Sequence, residues 1–327
     1  MKLACGALLN RGPTIAIVAL ALAMAWPMSG ARPQAARTVK VVVPYPPGGG
    51  ADVVARVLAN AIGEMRGPTM VVENRPGAGT VIGTEDVVHA APDGNTLLMA
   101  NNALDIVPHI RKLDFDPFVS LVPMCQLATT PTIIVVNSAS PYRTLGELLN
   151  AARAKPGELT FGALPGALSD ISWGMLLHRA NVRMTLVPFT GTAPMVNALL
   201  GGQIDAVFVD YPSTAGLAQS GKLRVLATAS AKRIDWLPDV PTVIETGYEG
   251  FVIELWYGVF APAHTSHQTV TQFSEWFSKA ALAPATQSRL LKQGIAATSI
   301  CGSPFLAYLK NQYAEYGEVI RDADINQ

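Results

Sequence analysis

"VVVPYPPGGGADVVARVLA", residues 41–59, decides how the chain begins to fold. A β-branched run ends at Pro44, a turn of prolines and glycines follows, and an apolar pattern with helical spacing begins near Asp52. This stretch therefore predicts a buried strand, a tight turn and an amphipathic helix. The apolar positions of the helix recur on one face: Val53, Val54, Val57, Leu58, Ala61 and Ile62.

The same order of strand, glycine-rich turn and helix recurs along the 327-residue chain. Near-continuous apolar strands separated by helices predict an α/β fold with doubly wound sheets flanked by helices. The length favours two lobes, and we place them at residues 38–138 together with 257–327, and at residues 139–256. Hinges are expected near residues 136–141 and 254–258, and the last helices should cover the first lobe. Ligands in such sheets bind beyond the carboxyl ends of the strands, where the glycine-rich turns fall.

Residues 1–31 have the pattern of an export signal. Lys2 and Arg11 precede the apolar run "TIAIVALALAMAW" (14–26), which is followed by small residues. This run is too short to span a bilayer comfortably. We therefore predict cleavage after Ala31 and a soluble, exported mature protein.

Charge and cysteine content narrow the function further. Without residues 1–31 the chain has 22 Lys and Arg against 24 Asp and Glu, a net charge of about −2. Nucleic-acid binding is excluded because no cationic stripe is left to neutralise phosphates. Cys125 and Cys301 remain after processing, either as two separate buried thiols or as a disulfide, and their spacing does not decide between these alternatives.

The turn at residues 44–52 is a candidate anion site. Nucleotide binding is disfavoured, since no lysine or hydroxyl follows the glycines as in a phosphate-binding loop. The N–H groups of Gly48, Gly49 and Gly50 and the helix N-terminus still suit a small anion. The alternative is that the glycines only permit the turn. Asp52 is better explained as a helix cap than as a ligand contact, because its charge would repel an anion.

Further polar groups follow other strands. Arg75 is able to attract an anion, although a surface salt bridge is the expected alternative. Asn101 and Asn102 offer amide donors at the end of another strand. "FGALPGALSD" (161–170) again directs N–H groups toward the expected cleft. Thr190, Thr192 and Asp210 follow later strands, and an Asx turn is the alternative role for Asp210.

The sequence offers no recognisable catalytic set. It has no Gly-x-Ser-x-Gly elbow, and its five histidines show no metal-binding spacing. We expect no metal and no cofactor. A receptor is therefore favoured over an enzyme.

These motifs together resemble the periplasmic solute receptors of tripartite tricarboxylate transporters, also called Bug receptors. The matching stretches are residues 41–59, "VVENRPGAGTVIGTEDVVHAAPDGNTLLM" (71–99), "VPFTGTAPMVNALLGGQIDAVF" (187–208) and "GKLRVLATASAKRIDWLPDVPTVIETGYEGF" (221–251). The resemblance covers the whole mature chain.

This resemblance implies a two-lobed "Venus flytrap" that closes on a small organic carboxylate, without a catalytic step, and delivers it to membrane permease subunits. A monomer is expected. A ligand-binding component of a sensing system, and an exported enzyme on the same scaffold, are the alternatives. By position, the resemblance places the ligand contacts at Pro47, Gly48, Gly49, Gly50, Ala51, Asn101, Asn102, Ala163, Pro165, Gly166, Ala167, Leu168, Ser169, Thr190 and Asp210.

The loop at residues 163–172 departs from the family pattern. Leu168 stands where a hydroxyl is expected, and Ile171 and Ser172 replace a His-Leu pair. Fewer donors and more apolar surface predict a ligand with an apolar or aromatic body rather than citrate. The alternative is that the ligand is held elsewhere.

Overall fold

A computed structural model describes residues 38–322, so the predicted export signal lies outside the described residues. Among residues 38–322, no helix combines the length and apolarity needed to cross a bilayer. The strands in this part of the chain are β1 (Thr38–Val43), β2 (Thr69–Asn74), β3 (Thr96–Asn101), β4 (Leu121–Asn137), β5 (Thr160–Ala163), β6 (Thr185–Pro188), β7 (Ala206–Asp210), β8 (Leu223–Thr228), β9 (Glu254–Pro262) and β10 (Ala296–Cys301).

Helices follow most of these strands, as the sequence pattern predicts. The α-helices of the described residues are α1 (Gly50–Glu64), α2 (Val81–Val88), α3 (Ala103–Ile110), α4 (Pro117–Ser120), α5 (Leu145–Ala154), α6 (Leu168–Ala180), α7 (Thr192–Leu200), α8 (Ala215–Gln219), α9 (His267–Leu282), α10 (Pro284–Leu291) and α11 (Ser303–Asp322). Short 3-10 helices occur at Ala78–Thr80, Tyr211–Ser213 and Ile244–Thr246.

The strands form two sheets that share the long strand β4. In the first sheet, β1 pairs in parallel with β2 and β3, and β9 pairs antiparallel with β3 and with β4. In the second sheet, β5 pairs in parallel with β6 and β7, while β7 and β8 pair antiparallel with β4. The predicted α/β fold with helix-flanked sheets is confirmed, and its sheets are mixed rather than purely parallel.

Strand β4 changes partners in its middle. Pro131 pairs with Glu254 of the first sheet, and the next residue, Thr132, pairs with Asp210 of the second sheet. This change lies before the hinge predicted at residues 136–141, whereas Glu254 falls inside the one predicted at 254–258. The lobe boundaries themselves stay a prediction.

The C-terminal helices pack on more than the first sheet. Helices α9 and α10 contact α1, as expected for helices that cover the first lobe. Helix α11 contacts α3 and also α6, a helix of the second sheet. Tyr316 of α11 is buried in the same apolar cluster as Trp173 and Leu176 of α6. The last helix therefore joins the two parts of the chain.

Cys125 and Cys301 form a disulfide, which resolves the two alternatives that the sequence left open. The two residues lie directly opposite each other on the antiparallel strands β4 and β10. Their separation of 176 residues closes a long loop of the chain around the second sheet.

Candidate functional site

A cavity of about 640 Å³ lies at the carboxyl ends of six strands. Its wall includes residues from the turns after β1, β2, β3, β5 and β6 and the last residues of β7, so both sheets contribute. This is the edge where open α/β sheets bind ligands. The wall residues at these strand ends are 44–46, 76, 77, 79, 80, 101–103, 164–169, 190, 192 and 208–210.

The structure brings most, but not all, of the predicted contact residues to this cavity. Nine of them are on its wall: Asn101, Asn102, Pro165, Gly166, Ala167, Leu168, Ser169, Thr190 and Asp210. Six are not: Pro47, Gly48, Gly49, Gly50, Ala51 and Ala163. The turn after β1 instead contributes Pro44, Tyr45 and Pro46.

The Gly48 N–H group is already occupied. It donates to Asp52 Oδ2 at 2.9 Å, and Gly49, in extended conformation, is the N-cap of α1. The N-cap Gly49 has no side-chain cap hydrogen bond, and Asp52 is the third residue of α1. The sequence predicted Asp52 as the helix cap; in the structure its carboxylate instead holds the turn that precedes the helix.

Asp52 has two further partners. Arg56 Nε donates to both carboxylate oxygens at 2.9 and 3.0 Å, and Asn74 Nδ2 donates at 2.9 Å. Burial disfavours ionisation of this carboxyl, but the hydrogen bonds from Arg56, Gly48 and Asn74 outweigh it and lower the pKa of Asp52. The conformation of the turn is thus fixed by this charge network, and the Gly48 N–H group is not free for an anion.

Packing explains why the next residues do not reach the cavity. A Cβ atom on Gly50 would lie 2.0 Å from the Tyr257 hydroxyl oxygen, so the backbone of α1 is pressed against that ring. Ala51 is 3% exposed and belongs to the core of the first sheet. Ala163, the last residue of β5, is likewise buried and belongs to an apolar cluster of the second sheet.

Tyr45 and Asn101 orient an amide donor toward the cavity. The Tyr45 hydroxyl and the Ala103 N–H group (3.0 Å) both donate to Asn101 Oδ1. This fixes the amide orientation, and no residue of 38–322 accepts from Asn101 Nδ2. Burial raises the pKa of Tyr45, so its hydroxyl stays protonated at neutral pH.

The side chain of Asn102 is a structural cross-link. Its Oδ1 accepts from Trp256 N at 3.0 Å, and its Nδ2 donates to Glu254 O at 3.2 Å and to the Tyr316 hydroxyl at 2.9 Å. These bonds use all of its hydrogen-bonding capacity except one lone pair of Oδ1. Asn102 therefore holds β3, β9 and α11 together, and its amide has no donor left for a ligand.

The turn after β5 faces the cavity directly. Gly166 N donates to Asp170 Oδ2 at 3.0 Å, and Leu164 N donates to Ser169 Oγ at 3.1 Å. Leu168 and Ser169 are the first residues of α6, so their N–H groups lack partners within the helix. The Leu168 side chain adds apolar surface to the wall.

Thr190 and Asp210 complete the second sheet's contribution. Thr190 is exposed to the cavity, and its hydroxyl has no hydrogen-bond partner in the described part of the chain. Asp210 accepts from Ser213 N at 3.2 Å and from Ser213 Oγ at 2.9 Å, which matches the Asx-turn alternative. Burial raises the pKa of Asp210.

The wall formed by α3 was not predicted from the sequence. Ile106, Val107, Ile110 and Arg111 line the cavity, at the i, i+1, i+4, i+5 spacing of one helix face. That spacing was a usable signal, but Pro108 lies inside the helix and obscures it. Other apolar side chains on the wall are Met195, Phe208 and Leu255.

Arg75 has the salt-bridge role. Its Nε lies 2.5 Å from Glu73 Oε1 and 3.4 Å from Asp86 Oδ2. Within residues 38–322, no group of three or more His, Cys, Asp or Glu side chains is arranged to hold a metal ion.

The chain matches known proteins over most of its length. Residues 54–325 match the model of the tripartite tricarboxylate transporter family receptor, TctC. A protein encoded between tcbD and tcbE in Pseudomonas sp. strain P51 is 34% identical over 89% of this chain and 88% of its own. Protein BugT of Bordetella pertussis is 31% identical over 88% of this chain and 89% of its own.

Solved structures agree with this match. The periplasmic binding protein BugD is 32% identical, with a TM-score of 0.75 over 89% of this chain and 98% of its own. An R. palustris protein solved with adipate is 27% identical, with a TM-score of 0.78 over 89% and 98%. MatC from Rhodopseudomonas palustris, with bound malate, is 28% identical, with a TM-score of 0.72 over 87% and 99%. The chain therefore belongs to the TctC family, the receptors of the tripartite tricarboxylate transporter family, whose members are solute-binding proteins.

Proposed function

We propose that this protein is a periplasmic receptor that binds a small organic carboxylate in the cavity and delivers it to the membrane permease of a tripartite tricarboxylate transporter. The observation that carries the proposal is the set of hydrogen-bond donors on the cavity wall without protein partners. They are the Asn101 amide, the Thr190 hydroxyl and the N–H groups that begin α6. Family membership and the neighbours with malate and adipate support a carboxylate as the ligand.

The electrostatics of the wall favour an anion. The N-termini of α6 and α7 carry the partial positive charge of a helix start, and both contribute residues to the wall. Arg111 adds a full positive charge. Asp210 opposes an anion when it is ionised, and burial raises its pKa.

Delivery requires that the cavity open and close. We propose the lobes at residues 38–138 with 257–327 and at residues 139–256, connected where β4 changes sheets and where β9 begins. Closure over the carboxylate would bring donors from both lobes together and displace water, which strengthens each hydrogen bond. The function needs no chemical step, so we propose a receptor without catalysis.

Native mass spectrometry of the freshly purified protein, followed by calorimetric titration with mono-, di- and tricarboxylates, tests the ligand class. We expect a retained or added carboxylate with a dissociation constant in the micromolar range or tighter. Binding of none of these acids, with tight binding of an uncharged or cationic solute, would contradict the proposal. The mature mass of the secreted protein also tests cleavage after Ala31.

Thr190→Val keeps the shape of the side chain and removes one unpartnered donor, so it should weaken carboxylate binding about 2- to 10-fold. Ser288→Ala, on the exposed face of α10, is the matched control and should leave binding unchanged. Delivery is tested by carboxylate uptake in cells with the permease, in the presence and absence of this receptor. Equal uptake in both would contradict the transport role.

A further inference from the structure

Arg111 is the one cationic side chain on the described cavity wall, and its guanidinium is unpaired. No residue of 38–322 accepts a hydrogen bond from this guanidinium or forms an ion pair with it. Arg75 on the neighbouring turn, in contrast, pairs with the carboxylates of Glu73 and Asp86. A charged group that faces a binding cavity without a partner is available to a ligand.

The guanidinium lies beside the turn at residues 77–80. A Cβ atom on Gly79 would lie 3.9 Å from Arg111 Cζ, an ordinary van der Waals distance, so this turn borders the guanidinium without blocking it. The turn is held in positive φ at Ala78 (48°), Gly79 (65°) and Thr80 (89°). Positive φ is unfavourable for a β-branched residue such as Thr80, and such strain persists where the surroundings require that shape.

Helix α3 separates this group from the Asn101 amide. Asn101 and Ala103 lie at the start of the helix and Arg111 just beyond its end, about 12 Å along the axis from Ala103 at 1.5 Å per residue. The wall between them consists of Ile106, Val107 and Ile110, which offer no side-chain hydrogen bonds. The site therefore has a polar end, an apolar middle and a cationic end.

We propose that Arg111 binds a second anionic group of the ligand, and that the ligand is a dicarboxylate with an apolar spacer. This inference rests on the proposed carboxylate receptor and specifies its substrate class. One carboxylate meets the neutral donors near Asn101 and the start of α6, the spacer packs along α3 and Leu168, and the far carboxylate pairs with the guanidinium. An aliphatic or aromatic spacer suits this wall, because a central hydroxyl or third carboxylate, as in citrate, would lose its water without gaining a partner there.

The test compares α,ω-dicarboxylates of four to eight carbons with monocarboxylates of the same length, by calorimetry on the full mature chain. The wild-type protein should bind at least one dicarboxylate more than 10-fold tighter than its matched monocarboxylate. Arg111→Gln should weaken that dicarboxylate about 10- to 100-fold and change the monocarboxylate less than 2-fold. Arg111→Lys should recover part of the loss, since the charge is kept without the bidentate geometry.

Arg75→Gln is the matched control, because Arg75 is a partly exposed cation close to the site that does not line the cavity. It should leave both affinities unchanged. Equal losses for both ligand types in Arg111→Gln, or no loss at all, would overturn the role of Arg111 while monocarboxylate binding still supports the receptor. Binding of no carboxylate by the wild-type protein would overturn both proposals.

Discussion

The turn after β1 (residues 44–52, the first turn) and the turn after β5 (residues 164–170, the second turn) share one backbone design. Gly48 and Gly166 have positive φ of 84° and 68°, and each is followed by an extended N-cap residue. In each turn an aspartate four residues after the glycine accepts its N–H group, at 2.9 Å in the first turn and 3.0 Å in the second.

Their surroundings make the two turns different. In the first turn, Asp52 also binds Arg56 and Asn74, and Tyr257 packs against Gly50. In the second turn, Asp170 has only the Gly166 N–H group among described partners, and the residue equivalent to Gly50 is Leu168, on the cavity wall. The same local motif thus fixes the fold at one place and exposes donors at the other. What it does depends on its tertiary partners.

The largest effect on stability should come from removing the disulfide. It joins β4 and β10 of the first sheet, whereas residues 132–253, which contain the second turn, have no cysteine. Cys125→Ala with Cys301→Ala should lower the free energy of unfolding by about 2–5 kcal/mol, since the cross-link restricts a long loop of the unfolded chain. Urea unfolding measures this. Ligand affinity serves as the control, because neither cysteine lines the cavity. An unchanged urea midpoint would contradict the expectation.

The next effect tests the packing of the first turn. Gly50→Ala should destabilise the protein by about 3 kcal/mol, because the new Cβ would lie 2.0 Å from the hydroxyl oxygen and 2.8 Å from the ring of the buried Tyr257. Gly49→Ala is the matched control and should change stability by less than about 0.5 kcal/mol, since its Cβ would meet nothing closer than 3.6 Å. The second turn already carries Ala167 at the position of Gly49. Equal thermal midpoints for the two variants would show that Tyr257 does not constrain the turn.

The strand-to-helix turns were predictable because their signal is local. Val41–Val43, the glycines and the periodic face of α1 lie within twenty-five residues, and the capping of α5 by Thr144 is equally local, with Glu147 N donating to Thr144 Oγ1 at 3.1 Å. The disulfide was not predictable, since it depends on the register of β10 on β4. Strand β10 itself, "AATSIC", lacks a strong apolar pattern.

The site was predictable in place but not in every residue. The cavity lies at the carboxyl ends of the strands, the edge at which the sequence placed the site. The exclusion of residues 47–51 from the wall depends on Asn74 and Tyr257, which are distant in sequence. Arg111 shows the same limit, because only the folded chain brings it beside Gly79 and leaves it unpaired.

Asp52→Asn should lower the free energy of unfolding by about 2 kcal/mol at neutral pH, because it weakens charge-assisted bonds from Arg56. The pKa of Asp52 is lowered in the folded protein, so its ionised form stabilises the fold above the ordinary pKa of about 4. That contribution is lost as the pH falls through the folded pKa. The difference between wild type and variant in urea unfolding should therefore shrink below about pH 4. A difference that is constant with pH would contradict the charge network.

Asp170→Asn should have the smallest effect on the free energy of unfolding. The pH dependence of this effect should be opposite in sign to that of Asp52→Asn. Burial raises the pKa of Asp170, with partial compensation by the Gly166 N–H group, so ionisation costs stability as the pH rises from the ordinary pKa through the folded one. An asparagine Oδ1 still accepts from Gly166 N. The variant should match the wild type within about 1 kcal/mol at pH 4 and gain relative stability toward neutral pH. A loss at neutral pH as large as that of Asp52→Asn would show that the second turn also depends on its charge, and the contrast between the two turns would then lie in packing alone.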